Sequence, residues 1–356
     1  MRIVRDRADV APAYERCRSE AEAAFGAADV YVERCLLAAR HIEVQVVGDA
    51  TGAVRVLGDR ECTLQRRHQK IVEMAPALDL ADGVRERLHA ASLALAAHAR
   101  FESLGTFEFL VEAGAAEPTV AFIEANARLQ VEHTVTEEVT GIDLVQTQLS
   151  IAAGKTLADL GLAGDAEPPA RGISIQARVN METMTSSGEA RPAGGRLATF
   201  EVPTGPGVRV DTFGYAGYET SPRFDSLLAK VIVSHPGADF GAALARTRRA
   251  LAELRVEGVA TNASFLQALL AHEDVAAGRV HTRFVEEHAA GLLEAAEALS
   301  SARAEEGGGP QQALAGARVD ASDPLAVLHH GKGVAGLEAA GAASPAPAVR
   351  ELEAPE

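Results

Sequence analysis

The segment GTFEFLVEAGAAEPTVAFIEAN, residues 105–126, predicts a hairpin of an antiparallel sheet, because it reads as two strands joined by a loop of small residues. Glu108 and Glu124 lie symmetrically about Ala116, in the middle of that loop. A regular hairpin therefore sets the two carboxylates opposite each other, where they repel unless they lie at a solvated edge or have cations between them. A solvated edge is the less favoured interpretation, because bulky apolar residues flank both acids: Phe107, Phe109, Phe122 and Ile123.

Asn126 extends the acidic pair, because it lies two residues beyond Glu124 and so shares its strand face. Two glutamates and an asparagine, without histidine or thiolate, form an oxygen-only set that suits Mg²⁺ or Mn²⁺, with nucleotide phosphates completing the coordination. The hairpin thus predicts a metal site on Glu108, Glu124 and Asn126. Ordinary exposed strand positions for both acids remain the alternative.

The segment NARLQVEHTVTEEVTG, residues 126–141, follows the hairpin directly. Its period-two spacing sets Arg128, Gln130 and Glu132 beside the predicted metal strand. A base and a cation next to a metal-nucleotide site suggest proton removal with stabilisation of the resulting anion. His133 is interpreted as a helix-entry residue without a catalytic role.

Upstream of the hairpin, alternating residues predict an antiparallel meander with one apolar face, formed by IEVQVV (42–47), VRVLGD (54–59) and HQKIVEM (68–74). Within it, QRRHQK (65–70) sets His68 and Lys70 on one strand face, where they could donate to a phosphate or a sugar. A solvated strand end is the favoured alternative for this charge run. The sequence contains no glycine-rich phosphate loop of the usual nucleotide-binding types.

The order of elements predicts an α+β chain of two domains. The first 35 residues read as a strand, a helix and a strand, at Arg2–Arg5, Val10–Phe25 and Val30–Cys35. Between the meander and the hairpin a helix is predicted, with Val84, Leu88, Ala91, Leu95 and Ala99 at helical spacing. The linker AGDAEPPARG, around residue 167, marks the domain boundary, and beyond it strands precede helices predicted at Phe240–Leu254, Ala263–Ala271 and Thr282–Ala298. From Ser300 the composition of Gly, Ala, Pro and Glu predicts a disordered linker.

Composition narrows the class of function. A chain of 356 residues with 47% hydrophobic residues is long enough for two cores, and its net charge of -16 argues against a nucleic-acid or anionic-membrane partner. The sequence lacks an apolar run near the ~20 residues that span a bilayer and lacks a signal-peptide pattern at its start, so we expect a cytoplasmic location. The three cysteines have no metal-ligand spacing, which predicts reduced, buried thiols.

Taken together, these motifs resemble biotin carboxylase, the ATP-grasp component of biotin-dependent acyl-CoA carboxylases. The resemblance extends from residue 1 to about residue 293 and rests on RHIEVQVVGD, ECTLQRRHQKIVEMAPA, GTFEFL, FIEANARLQVEHTVTEEVTGIDLVQTQL, GPGVRVDT, YAGY and FDSLLAKVIV. It implies an ATP-grasp fold with a central antiparallel sheet. The implied division is a partial lid (1–35), an ATP-grasp core (36–165), a biotin carboxylase C-terminal α+β domain (166–298) and a disordered linker (299–356).

The resemblance also implies roles for individual residues. Nucleotide binding is implied for Glu33, Arg34, Cys35, His41, Gln65, His68 and Lys70. The metal ions that bridge the ATP phosphates are expected on Glu108, Glu124 and Asn126. The implied bicarbonate site consists of Arg128, Gln130, Val131 and Glu132, with Glu132 as general base, and Arg209 is expected to help hold bicarbonate and to orient biotin.

The implied chemistry uses ATP, Mg²⁺ or Mn²⁺, bicarbonate and carrier-bound biotin. Bicarbonate attacks the γ-phosphate to give carboxyphosphate, and the CO₂ released from it is captured by biotin after N1 deprotonation, with Arg128 stabilising the biotin enolate. The expected partners are a biotinyl carrier domain, a carboxyltransferase and further copies of the chain.

One departure from the family concerns the start of the chain, because Met1 aligns just after the family's glycine-rich lid loop. We therefore expect an N-terminally truncated chain that is a poor catalyst alone. Two alternatives remain. One is a catalytically inactive fragment that binds carboxylase subunits, and the other is a different ATP-grasp ligase, such as a carbamoyl-phosphate synthetase-like enzyme.

Overall fold

A computed structural model of the chain describes residues 2–114, 117–164, 167–185 and 189–307, without the side chains of 303–307. The chain divides into two compact units, Met1–Ser301 and Ala302–Glu356. The predicted linker beyond residue 307 lies outside the described residues, so the fold described below is that of the first unit.

The described elements are short helices around a long sheet. The helices are α1 (Val10–Phe25), α2 (Val84–Ala99), α3 (His133–Thr140), α4 (Leu144–Ala152), α5 (Phe240–Glu253), α6 (Ala263–Ala271), α7 (Glu273–Ala276), α8 (Phe284–Glu287) and α9 (Ala289–Gly307), with a 3₁₀ turn at Arg7–Asp9. The main sheet contains β1 (Ala39–Gly48), β2 (Val54–Arg66), β3 (Gln69–Ala75), β4 (Ser103–Glu112), β5 (Val120–Asn126), β6 (Ile173–Asn180), β11 (Val208–Thr212) and β13 (Leu227–His235). The small two-stranded sheets use β7 (Glu182–Met184), β8 (Ala190–Pro192), β9 (Gly195–Arg196), β10 (Thr199–Glu201), β12 (Glu219–Thr220) and β14 (Arg255–Glu257).

The main sheet runs across the predicted domain boundary. Its order is β11-β13-β6-β3-β2-β1-β4-β5, and every neighbouring pair is antiparallel. Strands β3 and β6 pair from Val72 with Ala177 to Ala75 with Ser174, although the linker near residue 167 separates them in sequence. The linker therefore divides the sequence without dividing the sheet, and side chains from both halves can meet on one sheet face.

Strand β1 shows why one face of this sheet is apolar and the other polar. Successive side chains of a strand point to opposite faces. The apolar set of β1, which is Ile42, Val44 and Val46, packs in one core with Val84, Leu88 and Ala96 of α2. The polar set is also buried and consists of His41, Glu43 and Gln45. Helix α3 packs against β2, β3 and β6, so the polar face is enclosed as well.

The predicted helix after the meander forms with a slightly rotated face. Helix α2 begins at Val84 and ends at Ala99, as its apolar spacing predicts. Its buried positions follow a four-residue step, which ends at Ala96 rather than at the predicted Leu95. Leu95 is 40% exposed. A drift of this size is expected because four residues exceed one 3.6-residue turn.

The segment before β1 differs from the prediction. The helix Val10–Phe25 forms, but Arg2–Arg5 and Val30–Cys35 form no strand and pair with none in the described part of the chain. A strand is stabilised by its ladder of hydrogen bonds, so β-forming residues alone do not make one. Helix α1 buries none of its residues. The two predicted strands of the lid are therefore wrong.

Two other predictions need correction. The predicted helix 282–298 is interrupted at His288, between α8 and α9, and α9 continues to Gly307, so residues 299–307 are helix rather than linker. All three cysteines are free thiols, but only Cys62 is buried, whereas Cys17 is half-buried and Cys35 exposed. Among the described residues, no helix is long and apolar enough to cross a membrane.

Candidate active site

The acidic hairpin contains the predicted pair, but it is not the regular hairpin that was predicted, because its register shifts by one residue between Glu108 and Phe109. Glu108 of β4 pairs directly with Glu124 of β5. Asn126 donates its amide Nδ2 to Oε1 of Glu108 at 3.0 Å and to Oε1 of Glu124 at 2.9 Å. The two carboxylate oxygens therefore lie within about 6 Å of each other, on one face, at a distance where carboxylates interact strongly. The geometry that the sequence predicted for these three side chains is confirmed.

The two acids of the pair differ in their surroundings. Glu124 lies on an edge strand and is exposed, whereas Glu108 is 5% exposed. Glu108 lies 2.8 Å from His41 Nε2 and 3.2 Å from Lys70 Nζ, and it accepts from Gln130 Nε2 at 2.8 Å. Burial alone would raise the pKa of Glu108, but the contacts with His41 and Lys70 lower it to about 2. Glu108 is therefore ionised at neutral pH.

Lys70 is the centre of a buried ionic cluster. Its Nζ donates to Glu43 at 2.5 Å, to Glu132 at 2.6 Å and to Glu108 at 3.2 Å. Burial works to lower the pKa of Lys70, and the surrounding acidic groups raise it instead. The ammonium thus stays charged and links the hairpin to Glu132. We call the group formed by Glu43, Arg60, Lys70, Glu108, Glu132 and Arg178 the ionic cluster.

Arg60 supports the cluster from inside the sheet, where its side chain and that of Glu43 are fully buried. The guanidinium is paired with Glu43 and donates to Gln45 at 2.7 Å, to Thr136 at 2.9 Å and to Thr106 at 3.1 Å. These contacts tie β1, β2, β4 and α3 together. Burial raises the pKa of Glu43, but the charges of Arg60 and Lys70 outweigh it and lower that pKa.

Glu132 and Arg178 complete the cluster from the two halves of the chain. Glu132 precedes the first residue of α3, where the helix dipole favours a negative charge. Its Oε2 lies 3.0 Å from Nη2 of Arg178, on β6. Arg178 is also paired with the fully buried Glu73, which accepts from Gln176 at 2.9 Å. The two cations beside Glu132 can bind a small oxyanion, and the Glu132 carboxylate can accept its proton.

Sequence reasoning missed Arg178 and Glu43. Both occupy polar positions within strands whose alternate residues are apolar, as in HIEVQV and ISIQARV. A charged residue at an inward position of a buried strand was therefore a usable signal. The partner of each lies far away in sequence, since Arg178 of β6 meets Glu132 at the start of α3, and Glu43 of β1 meets Lys70 of β3.

Gln130, Val131 and Arg128 lie around the cluster. Gln130 donates to Glu108, while its buried Oε1 has no hydrogen-bond donor in the described part of the chain. The backbone carbonyl of Val131 accepts from Lys230 Nζ at 3.1 Å. Arg128 is exposed and donates only weakly, to the carbonyl of Leu129 at 3.3 Å and to Asn126 Oδ1 at 3.4 Å. Gln130 thus lies within the cluster, and Arg128 lies at its rim.

Two of the predicted nucleotide residues, His41 and Gln65, join the cluster. The ring of His41 lies between Gln65 Nε2, 2.6 Å from Nδ1, and Glu108, 2.8 Å from Nε2. His68 was predicted to share a strand face with Lys70. This prediction is wrong, because His68 lies in the turn between β2 and β3. Its φ there is +65°, and its side chain is exposed. A two-residue hairpin turn of right-handed twist requires positive φ at such positions.

Arg209 lies apart from the cluster. Its Nη1 is 2.8 Å from Glu137, in the middle of α3, and its Nε is 2.8 Å from Asp211. Arg209 and Glu137 line a polar cavity of about 590 Å³ together with Glu138, Gly141, Ile142, Asp143 and Val145. Burial raises the pKa of Glu137, but hydrogen bonds from His133 and Arg209 lower it to about 2. Arg209 is therefore held in place by permanent anions.

Glu33, Arg34 and Cys35 are exposed on the extended segment between α1 and β1. None of the three has a hydrogen bond or an ion pair with the cluster in the residues that the structure describes. The structure therefore brings together ten of the predicted site residues around Lys70. It does not bring Glu33, Arg34, Cys35, His68 or Arg209 into that group.

Two known family models match the chain. Residues 1–160 match the model described as carbamoyl-phosphate synthase L chain, ATP binding domain, and residues 176–287 match the biotin carboxylase C-terminal domain. The fold and the acidic hairpin thus define an ATP-grasp type of protein. The second match narrows that class, because it covers the strands and helices that follow the linker.

Whole-chain relatives point to the same family. The chain is 44% identical over 288 residues to a pyruvate carboxylase of Aspergillus niger, which is 81% of this chain and 24% of the relative. The biotin carboxylase domain of a single-chain bacterial carboxylase is 45% identical, with a TM-score of 0.73 over 84% of this chain and 64% of that domain. The chain belongs to the biotin carboxylase family and contains the ATP-grasp and C-terminal domains of that family.

Two further structures come from larger assemblies or carry ligands. A single-chain, multi-domain long-chain acyl-CoA carboxylase is 46% identical, with a TM-score of 0.68 over 74% of this chain and 27% of that protein. The biotin carboxylase domain of the Hydrogenobacter thermophilus 2-oxoglutarate carboxylase, in complex with MgADP and bicarbonate, is 38% identical, with a TM-score of 0.73 over 81% of this chain and 61% of that domain. The chain spans about a quarter of the length of the curated relatives it matches.

Proposed function

We propose that the protein carboxylates biotin with ATP and bicarbonate. The observation that carries this proposal is the ionic cluster, in which the Glu132 carboxylate is held by Lys70 and Arg178 beside the acidic hairpin. In such an arrangement Lys70 and Arg178 can bind bicarbonate, and Glu132 can accept its proton. The acidic hairpin beside them can bind the metal and the nucleotide. The known family members support the same reaction class.

The acidic hairpin suits the divalent cation that the reaction needs. Glu108 and Glu124 supply carboxylate oxygens, which Mg²⁺ and Mn²⁺ prefer, and Asn126 supplies an amide oxygen once its side chain turns, because its Nδ2 faces the two carboxylates in this structure. The buried Gln130 Oε1, which lacks a donor among the described residues, also leaves room for a further polar group next to Glu108. A bound cation would neutralise phosphate charge. In this proposal Glu108, Glu124 and Asn126 hold it.

Glu132 acts as the general base. A bicarbonate oxygen forms a bond to the γ-phosphorus of ATP, the bond from that phosphorus to ADP breaks, and the bicarbonate proton passes to Glu132. Lys70 and Arg178 stabilise the negative charge of the substrates, since both remain cationic in the buried site. Gln130 and the backbone of Val131 bind bicarbonate on the other side. Arg178 is thus added to the residues that the sequence suggested.

The remaining predicted residues surround this reaction centre. Arg128 is exposed at the rim, where it can reach the ureido group of a carrier-bound biotin and stabilise its enolate. Arg209 orients biotin from the neighbouring cavity. Nucleotide binding is proposed for Glu33, Arg34, Cys35, His41, Gln65, His68 and Lys70.

The experiment that tests the proposal measures ADP release and labelled carboxybiotin from ATP, Mg²⁺, labelled bicarbonate and free biotin. We expect ADP release that requires bicarbonate and biotin together. The family description of residues 1–160 favours a second candidate, a carbamoyl-phosphate synthetase-like reaction. Formation of carbamoyl phosphate with ammonia, without any carboxybiotin, would replace the first proposal by the second.

The partners and the final acceptor belong to the same proposal. We propose a biotinyl carrier domain and a carboxyltransferase as partners, with homo-oligomer formation and a cytoplasmic location. The proposed acceptor is an acyl-CoA, as in the long-chain acyl-CoA carboxylase, and pyruvate is the second candidate, as in the pyruvate carboxylases. Transfer of labelled carboxyl groups to acyl-CoA or to pyruvate, measured with the complete carboxylase, distinguishes them.

A further inference from the structure

A second group of metal-binding side chains lies in the helical part of the fold, away from the ionic cluster. His272 joins α6 to α7, Asp274 lies in α7, and His288 joins α8 to α9. The potential ligand atoms of these three residues all lie within 4.8 Å of one another. Each residue is partly exposed, so an ion from solvent can reach the group.

Both imidazole rings are held in place. Nδ1 of His288 donates to the backbone carbonyl of Phe284 at 2.9 Å, which leaves the lone pair of Nε2 available. The same ring stacks on Phe284 with centroids 4.2 Å apart, and the His272 ring meets both rings edge-on at 5.0 Å. Metal-binding histidines usually have their second nitrogen fixed by such a carbonyl, which sets the tautomer and the ring orientation.

The third donor also has an oxygen to spare. Arg279 donates to Oδ1 of Asp274 at 2.8 Å, and Oδ2 lies 3.8 Å from Nδ1 of His272. In zinc sites the metal–ligand distance is about 2.0 to 2.2 Å, so neighbouring ligand atoms are about 3 to 4 Å apart. Nδ1 of His272 and Oδ2 of Asp274 already meet that spacing, and a cation there replaces the hydrogen bond that Nδ1 accepts from the backbone N–H of Asp274 at 3.2 Å. Side-chain rotations bring in His288.

An adjoining groove gives access to the group. It has a volume of about 730 Å³ and is lined by His272 and His288 together with apolar residues such as Ala268, Leu292 and Leu299. Water molecules in the groove can fill the open coordination positions that three protein ligands leave.

We propose that His272, Asp274 and His288 bind one zinc-class divalent cation, meaning Zn²⁺, Co²⁺ or Ni²⁺. Two imidazoles and a single carboxylate select such ions, whereas the oxygen-only hairpin suits Mg²⁺. The cation connects the α6–α7 junction to the α8–α9 junction, so its binding stabilises the helical part of the fold. The site is independent of nucleotide and bicarbonate.

The test measures Zn²⁺ binding by competition with a coloured chelator, in chelator-treated protein without nucleotide. Excess Mg²⁺ occupies the oxygen-only hairpin. We expect one Zn²⁺ per chain, a higher melting temperature with Zn²⁺, and a visible Co²⁺ spectrum typical of nitrogen ligands. Because the assay contains neither ATP nor bicarbonate, its outcome is separate from that of the carboxylase proposal.

Two conservative variants keep the local hydrogen bonds. His272→Asn retains an acceptor for the backbone N–H of Asp274, which His272 accepts at 3.2 Å, and His288→Gln retains a donor. We expect the double variant to bind Zn²⁺ at least about 100-fold more weakly, since loss of the supporting shell alone costs 10- to 100-fold. His281→Gln is the matched control, because its ring lies 6.5 Å from Phe284 without belonging to the group, and it should bind as the wild type does. Equal Zn²⁺ affinity in the double variant, or no Zn²⁺ binding by the wild type, would overturn the proposal.

Discussion

The ionic cluster contrasts with the segment before β1, residues 25–38. The cluster buries charged side chains, whereas the segment exposes apolar ones. In the cluster, Glu43 and Arg60 are fully buried although both are charged. In the segment, Phe25, Tyr31 and Val32 are 85%, 82% and 86% exposed although all are apolar. Burial in this molecule therefore follows the partners that a residue finds, and residue type alone does not decide it.

The difference lies in the neighbours of each backbone. Strand β1 has β2 on one side and β4 on the other, and it is covered by α2 on one face and enclosed by α3 on the other. Each buried charge there is offset by an opposite charge and by hydrogen bonds, which is the condition for burying it at all. Residues 26–38 have no partner strand in the described part of the chain. Four variants test this comparison, from the largest expected effect to the smallest.

The first variant tests whether Glu132 in the ionic cluster acts as the general base. In the complete carboxylase, Glu132→Gln keeps the shape of the side chain but removes the base, so we expect bicarbonate-dependent ATP cleavage to fall by about 10²- to 10⁴-fold. Nucleotide binding should survive, because Lys70 keeps its contacts with Glu43 and Glu108. The measurements are ADP release and nucleotide affinity, with Glu112→Gln as control, because Glu112 lies on β4 and does not belong to the ionic cluster. Unchanged turnover would mean that another group is the base.

The second variant tests the fold-supporting half of the cluster. Arg60→Leu leaves Glu43 without its fully buried partner and removes donors from Gln45, Thr106 and Thr136. Breaking a buried ion pair in this way costs about 3 to 5 kcal/mol of the free energy of unfolding, measured in urea. The control is Arg255→Leu, whose pairs with Glu201 and Glu257 are solvent-exposed and should leave stability at the wild-type value. If Arg60→Leu and Arg255→Leu had equal free energies of unfolding, the buried ion pair of Arg60 would contribute no more than the exposed pairs of Arg255.

The same contrast explains what the sequence could predict. The proximity of Glu108 and Glu124 depends on one local hairpin and could therefore be predicted, although the pair itself is set by a one-residue register shift between Glu108 and Phe109 that hairpin symmetry does not contain. The contact of Arg178 with Glu132 depends on β6 joining a sheet built upstream of the linker, which no local pattern encodes. The strands predicted at Arg2–Arg5 and Val30–Cys35 failed for the converse reason, because their residues favour strands but lack partners.

The third variant concerns a site between the two extremes. His89 is 14% exposed and contacts Asp59 and Glu167, each at 3.1 Å. Burial lowers the pKa of His89, but the hydrogen bonds to Asp59 and Glu167 outweigh it and raise the pKa to about 9. A raised pKa stabilises the fold fully below the unfolded value of about 6.5, and this contribution is lost as the pH rises through 9. We expect the wild type to lose about 2 to 3 kcal/mol more than His89→Gln between pH 6.5 and 9.5.

The measurement for His89 is urea unfolding of both proteins at several pH values. The comparison between them removes the contributions of other groups that titrate in the same range. Parallel stability curves for the two proteins would mean that His89 is not protonated in the fold, and that Asp59 is balanced by Arg85 alone, which lies 2.6 Å away.

The smallest expected effect lies in the exposed apolar segment. Phe25 is the last residue of α1, and Phe25→Ser changes a large exposed ring to a small polar group of similar helix propensity. Because the ring is 85% exposed, it gains little from burial in the fold, and we expect the free energy of unfolding to change by no more than about 0.5 kcal/mol. Phe109→Ala is the matched contrast, since Phe109 is 2% exposed in the core against α2, and its loss should cost about 3 to 5 kcal/mol. If Phe25→Ser lowered the free energy of unfolding by more than about 1 kcal/mol, the Phe25 side chain would be packed in solution. The contrast between buried charged residues and exposed apolar residues would then hold for the ionic cluster alone.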